Sequence, residues 1–441
     1  MATEVKAERR ESEKLTPGAM TPMVIDILQN KWVQGVLIVI GLFFVYFAAG
    51  NESNPYNQHV QLADSLLHGR LYLENPPAYL ELARYFDNGM ACNGPEVGCK
   101  GYVVEPPAPA VLLIPFVAAF GPDLNQVFVS MAFGAATIGL FWVATRQLGW
   151  NPPLRAAMIV LLGLGTNFWW AAGDGSLWTF SQVCAVFFMM AALIEATGHK
   201  RPWLVGILLG LAGLSRLPTF LGFPFFLYLV VEHDIRNWRG WRSTVRNRGV
   251  IKKVLLFGSG LGAMASLILL YNYGRYHTIF DAGYNHPQYH NVPPFTQGRF
   301  SISYIPRHIE AIFYLGPKLN ESQFPFFQPS VYGMALVMVT PAFLYIFGAR
   351  MKPLEVTAAV TMLLVMIPHV LYGATGWAQF GYRFSLDYFP MLAVLTAAGM
   401  DHQMGIRKWL VIGLSVFIAM WGPLFFFDTR LEDLLGYQWK L

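Results

Sequence analysis

The sequence predicts an all-α polytopic membrane protein with about eleven transmembrane helices and two long extracytoplasmic loops. Three observations lead there. Of 441 residues, 55% are hydrophobic and only 13% charged. The apolar runs approach the roughly 20 residues that a helix needs to cross about 30 Å of hydrocarbon. They also lack the two-residue alternation of a membrane barrel, and a backbone in lipid must satisfy its own hydrogen bonds.

Hydropathy and turn signals place spans near 32–50, 124–146, 155–171, 176–196, 203–216 and 217–232. Five more fall near 254–272, 333–348, 355–373, 385–400 and 409–427. Residues 1–31 mix Glu, Lys and Arg with Thr, Pro and Ser and read as a disordered cytoplasmic tail ahead of one transmembrane domain, 32–441. The first apolar segment starts too late, and without a processing site, for a cleavable signal. Most of the 31 Lys and Arg lie on the side of residue 1, including seven between Arg236 and Lys253. The positive-inside rule then puts the N-terminus in the cytoplasm and the loops 51–123 and 273–332 outside, as expected of a plasma (inner) membrane protein. The net charge of +5 follows from this dispersed topology and calls for no nucleic acid.

The first outer loop carries the candidate chemistry. Read as a helix, 57–73 places Asn57, Gln61, Asp64, Ser65 and His68 on one polar stripe opposite Val60, Ala63, Leu66 and Leu67, with Gly69 as a stop. Such a helix either lies on the membrane surface or offers Asp64, with His68 one turn away, as a proton acceptor. Glu74-Asn75-Pro76-Pro77 leads to a second expected helix, 78–86, and Glu105-Pro106-Pro107-Ala108-Pro109 opens an apolar segment, 110–120, too short to span. Glu105 suits a helix N-terminus. Asp174, in the tight link 172–176, either caps the helix that follows or faces the same space as Asp64.

Two arginines stand out. Arg216 interrupts an apolar stretch in Leu214-Ser215-Arg216-Leu217-Pro218, where it either snorkels or holds an anion such as a lipid phosphate. Arg383, beside Tyr382, either pairs with Asp387 one turn on or serves the same anion. Cys92 and Cys99 suit a small disulfide clip, and Cys184 packs within a span. His286 and His290, with His277 and Asp281 nearby, have part of a metal spacing, but Pro287 intervenes and no compact ligand set follows. The aromatic composition of 273–332 suits a lid better. No cofactor is required, and a divalent metal stays open.

Four segments, Asn57–Leu73, Glu105–Phe120, Gly213–Pro224 and Gln379–Pro390, resemble in order and spacing the GT-C superfamily of polyprenyl-phosphate-sugar glycosyltransferases. The closer likeness is to the protein O-mannosyltransferase and aminoarabinose transferase branch. The resemblance implies a membrane glycosyltransferase moving a sugar from a polyprenyl phosphate to an unknown acceptor hydroxyl on the extracytoplasmic face. It implies a loop carboxylate as base, Asp64, and Arg216 and Arg383 at the donor phosphate; His68, Asp174, Glu105 and Tyr382 are read from the sequence as supporting residues of that cavity. The family places its acid directly after the first span, where this chain reads Asn51-Glu52-Ser53-Asn54-Pro55-Tyr56, so Glu52 is the rival base. A lipid or solute transporter, marked by internal repeats, broken helices and mid-membrane charges, is the first alternative. A non-catalytic subunit of a membrane complex is the second.

Overall fold

The computed structural model describes residues 30–74, 76–92, 96–234, 247–280, 283–287, 293–319 and 326–427. The expected tail to residue 29, Arg236, Arg239, Arg242 and Arg246 of the cation-rich loop, and Asp281 and His290 lie outside the described residues.

The chain forms a bundle of apolar helices with a small sheet at one end. Helix α1 (Lys31–Ala49) starts at Asn30, whose side chain accepts from the Trp32 amide. It is followed by α2 (Gln58–Leu67). Gly69, in a left-handed conformation, stops α2 where the pattern placed a stop. Strands β1 (Leu73–Glu74), β2 (Leu82–Tyr85) and β3 (Lys100–Val103) form an antiparallel sheet in the order β1-β3-β2. The Cys92–Cys99 disulfide clips the connection between β2 and β3.

The helix expected over 78–86 is therefore a strand. Leu82 and Ala83 are buried against β3, and the Arg84 guanidinium holds the carbonyls of Pro76, Pro77 and Leu80. Leu73, the expected end of the first loop helix, belongs to β1 instead.

Next come α3 (Ala108–Phe120), α4 (Gln126–Gln147), α5 (Pro152–Leu164), α6 (Asn167–Asp174) and α7 (Leu177–Thr197). Helix α7 runs through the centre of the main core. The Tyr46 hydroxyl donates to the Gly163 carbonyl at 2.7 Å and ties α1 to α5. Helices α8 (Pro202–Gly213), α9 (Phe223–Val231) and α10 (Arg248–Tyr276) follow. Gly206 and Gly260 let α8 and α10 cross with backbones in contact, because a methyl group at either would overlap the facing chain. The remainder comprises α11 (Ile305–Phe313), a two-stranded ribbon of β4 (Lys318–Leu319) and β5 (Phe327–Gln328), and α12 (Leu336–Val339). Helices α13 (Pro353–Leu371), α14 (Phe389–Met400) and α15 (Ile406–Phe426) complete the order.

Among the described residues six helices are long and apolar enough to cross a membrane: α1, α4, α7, α10, α13 and α15. The pair α5 and α6, bent by 48°, makes a seventh if it is one span. The spans expected at 203–216, 217–232, 333–348 and 385–400 do not appear as single long helices. Helices α8 and α14 have 12 residues each, about 18 Å at 1.5 Å per residue. The other two segments, and the start of 385–400, run as 3-10 turns over Leu217–Gly222, Pro341–Gly348 and Arg383–Tyr388. Pro218, Pro224, Pro341 and Pro390 stand at or just inside the starts of these pieces, where a missing amide prevents one continuous helix.

Candidate active site

The breaks in the bundle place charge together. Arg216 caps the 3-10 turn Leu217–Gly222, and Arg383 opens the 3-10 turn Arg383–Tyr388. Each turn runs into a helix through a Phe-Pro pair, Phe223-Pro224 and Phe389-Pro390. Glu105 joins them for a local reason. Pro106 and Pro107 have no amide hydrogen, so the first free donor after Glu105 is Ala108, whose N–H binds the Leu214 carbonyl at 3.0 Å. That bond brings the start of α3 to the end of α8.

The guanidinium of Arg216 lies 3.3 Å from Asp387 and 3.8 Å from Glu105, with all three side chains buried or nearly so. His369 Nε2, in the last turn of α13, lies 3.0 Å from the same Asp387 carboxylate. The Phe384 ring is the hub: His369 stacks on it at 4.8 Å, and the guanidinium carbons of Arg216 and Arg383 lie 5.6 and 5.4 Å from its centroid.

Arg383 differs from Arg216. Its carbonyl accepts from Gln182 Nε2 at 3.0 Å, which fixes the backbone. Its Nε and Nη1 are buried without a hydrogen-bond partner. The expected local pair with Asp387 is not formed, since Asp387 is taken by Arg216 and His369. The expectation that Arg216 snorkels is likewise replaced by burial and ion pairing. An unpaired buried guanidinium is costly, and its free donors suit an oxyanion.

Carboxylates surround the two cations. Half-buried Glu81, just ahead of β2, is close enough to feel Glu105 and Arg383. Burial, then the Glu105 charge, pushes its carboxyl up to about 7. Burial also raises Glu105, with Arg216 and Arg383 pulling the other way. Tyr284, from the second long segment, lies within electrostatic reach of Glu105, Glu81 and Arg216. Both long segments therefore meet at the helix breaks. Tyr56 and Trp178 (5.1 Å between ring centres) and Tyr56 and Tyr79 (6.1 Å) form an aromatic group beside Glu81.

The other expected site residues are placed as follows. Asp64 lies 3.7 Å from His68 on α2, and His68 is exposed. Glu52 is exposed, its carbonyl accepting from Asn125. Among the described residues neither acid makes an ion pair or hydrogen bond with the arginine cluster. Asp174 caps the start of α7, accepting from the Ser176 amide at 3.2 Å and the Thr179 hydroxyl at 2.7 Å, while Asn54 donates to its other oxygen. Tyr382 is buried with its hydroxyl 2.9 Å from His308 Nδ1. His286 Nε2 lies 2.9 Å from the Arg84 carbonyl. Among the described residues no three His, Cys, Asp or Glu side chains converge as a metal site.

Sequence reasoning missed Glu81 and His369. The signal for His369 was present, a titratable residue inside an apolar helix. Glu81 carried none, because 78–86 has helical spacing.

No family model matches the chain, and no curated protein matches it. Among solved structures the chain is similar to a crystal structure of ArnT from Cupriavidus metallidurans bound to undecaprenyl phosphate, at 14% identity and a TM-score of 0.46. The match covers 87% of this chain and 61% of that one, so the chain spans less than two thirds of that protein's length.

Proposed function

We propose that the chain is an extracytoplasmic membrane glycosyltransferase that moves a sugar from a polyprenyl phosphate, such as the undecaprenyl phosphate bound by ArnT, to an acceptor hydroxyl. The observation that carries this reading is the buried Arg383 guanidinium, with Nε and Nη1 unpartnered, close to a carboxyl poised near neutrality. Arg383 holds the phosphate of the lipid-linked sugar, and Arg216, already neutralised by Asp387 and Glu105, keeps that wall rigid. The acceptor oxygen attacks the anomeric carbon while Glu81 takes the hydroxyl proton. The bond from that carbon to the phosphate oxygen breaks with its electron pair, and the lipid phosphate leaves with its charge facing Arg383. Tyr56, Tyr79 and Trp178 offer ring faces to a sugar beside Glu81.

Sequence position favours Asp64 or Glu52 as the base, and electrostatics favours Glu81. The experiment is transfer of labelled sugar from a polyprenyl-phosphate donor to a panel of hydroxyl acceptors by the purified protein. Loss of transfer in Glu81→Gln, with Asp64→Asn and Glu52→Gln active, supports Glu81. Loss only in one of the other two moves the role there. Full activity in all three variants removes the base assignment, and no transfer by the intact protein with any lipid-linked sugar removes the reading.

A second reading, a lipid or solute transporter, is favoured by one feature: the helix breaks at 165–166, 217–222 and 383–388, which transporters use at their binding sites. Movement of polyprenyl phosphate across proteoliposomes without sugar transfer would select it.

A further inference from the structure

At the far end of the bundle lies a second concentration of unsatisfied positive charge. Helix α4 begins with Gln126, which donates to the Gly175 carbonyl and accepts from the Val60 amide near the candidate active site. Its 22 residues carry the chain about 33 Å at 1.5 Å per residue, one hydrocarbon thickness. Arg146 stands in its last turn, and Arg155 follows in the first turn of α5. The two guanidinium groups lie over the same indole, Trp142, at 5.6 and 5.1 Å from the ring centre.

Two like charges placed around one ring repel unless an anion joins them. Among the described residues no carboxylate pairs with either arginine, and the one hydrogen bond given by a guanidinium of the pair runs from Arg146 Nη2 to the Gln34 side chain at 2.7 Å. Three buried donors lack acceptors: Arg146 Nε, Arg155 Nε and Trp142 Nε1. The end of a helix favours one cation through its dipole, which accounts for Arg146 alone. It accounts neither for Arg155, at a helix start, nor for the indole N–H. Lys31 and the exposed Trp32, at the start of α1, have the chemistry of a membrane-interface rim.

We propose that Arg146, Arg155 and Trp142 form a binding site for a phosphate group at the membrane surface opposite the candidate active site, contributed by an anionic phospholipid headgroup or by free phosphate. A phosphate beside the ring would accept from the two guanidinium groups and offset their mutual repulsion, with the indole N–H as a further donor. The site is independent of the glycosyltransferase reading.

The test uses the full chain in lipid nanodiscs of phosphatidylcholine and phosphatidylglycerol, with retained lipid measured by native mass spectrometry. The intact protein is expected to hold one phosphatidylglycerol against exchange. Arg155→Gln is expected to weaken retention about tenfold. Trp142→Phe, which keeps a ring and loses the N–H donor, is expected to weaken it less while leaving the thermal unfolding temperature in place. Retention that survives excess inorganic phosphate assigns the site to the lipid. Displacement by it, with phosphate bound in lipid-free detergent, assigns the site to free phosphate. Equal retention in the intact protein and both variants, or no retained anion of either kind, overturns the proposal.

Discussion

Arg216 lies 3.3 Å from Asp387 and 3.8 Å from Glu105, so one guanidinium binds carboxylates from two distant parts of the chain. Arg383, which shares the Phe384 ring with it, has no such pair. The two arginines that look equivalent in the sequence therefore differ in kind.

Arg216→Ala and Arg383→Ala should separate. Removing Arg216 leaves Asp387 buried without its cation, at a cost of about 3–5 kcal/mol. Removing Arg383 takes away an unpaired buried charge and should leave stability unchanged or raised, while sugar transfer is lost. Thermal unfolding in detergent, run beside the transfer assay, checks both. Equal destabilisation by the two substitutions would show that Arg383 is structural.

Glu81 sets a pH dependence. Its carboxyl is raised from the ordinary 4.5 to about 7, so transfer should rise as pH climbs through that value and the base ionises. Stability runs the other way. A carboxyl that binds its proton more tightly when folded contributes stability fully below about pH 4.5, lost as pH rises through about 7. Glu81→Gln should flatten this part of the stability profile, measured by unfolding temperature across pH. A profile unchanged by the substitution would show that Glu81 titrates in its ordinary range.

The Cys92–Cys99 clip closes the connection between β2, which follows Glu81, and β3. Paired Cys92→Ser and Cys99→Ser substitutions release a short loop, worth about 2–3 kcal/mol by loop-closure entropy. Faster protease cleavage between β2 and β3, together with reduced transfer, is the expected result. Unchanged cleavage would mean that the strands alone hold the segment.

Gly206→Val tests the crossing of α8 and α10. The added side chain meets the Phe257 carbonyl across the interface and should cost about 1–3 kcal/mol. Since α8 ends just before Arg216, transfer should fall as well. An unaltered unfolding temperature would show that the two helices separate at little cost.

Much of the fold could be read from composition and turn residues. Gly69 stops α2, the short apolar segment after the Glu105 turn is α3, and Cys92 pairs with Cys99. Six or seven of the eleven expected spans stand as long apolar helices among the described residues, and the others are interrupted because hydropathy sees apolar length and not backbone continuity, with Pro218, Pro341 and Pro390 opening separate short pieces. In the site, Arg216 and Arg383 were visible as cations inside apolar stretches. Their partners were not, since Asp387 sits one turn from Arg383 in the sequence and pairs across the bundle with Arg216. Glu81 was hidden because spacing suited to a helix folds as a strand once Leu82 and Ala83 find β3.

The central claim is that Arg383 holds the phosphate of a lipid-linked sugar, and its most direct test is a titration of the purified protein with polyprenyl phosphate by native mass spectrometry. Binding by the intact chain, weakened about tenfold or more in Arg383→Ala and partly kept in Arg383→Lys, is the predicted result. Equal binding by the intact protein and Arg383→Ala would contradict it.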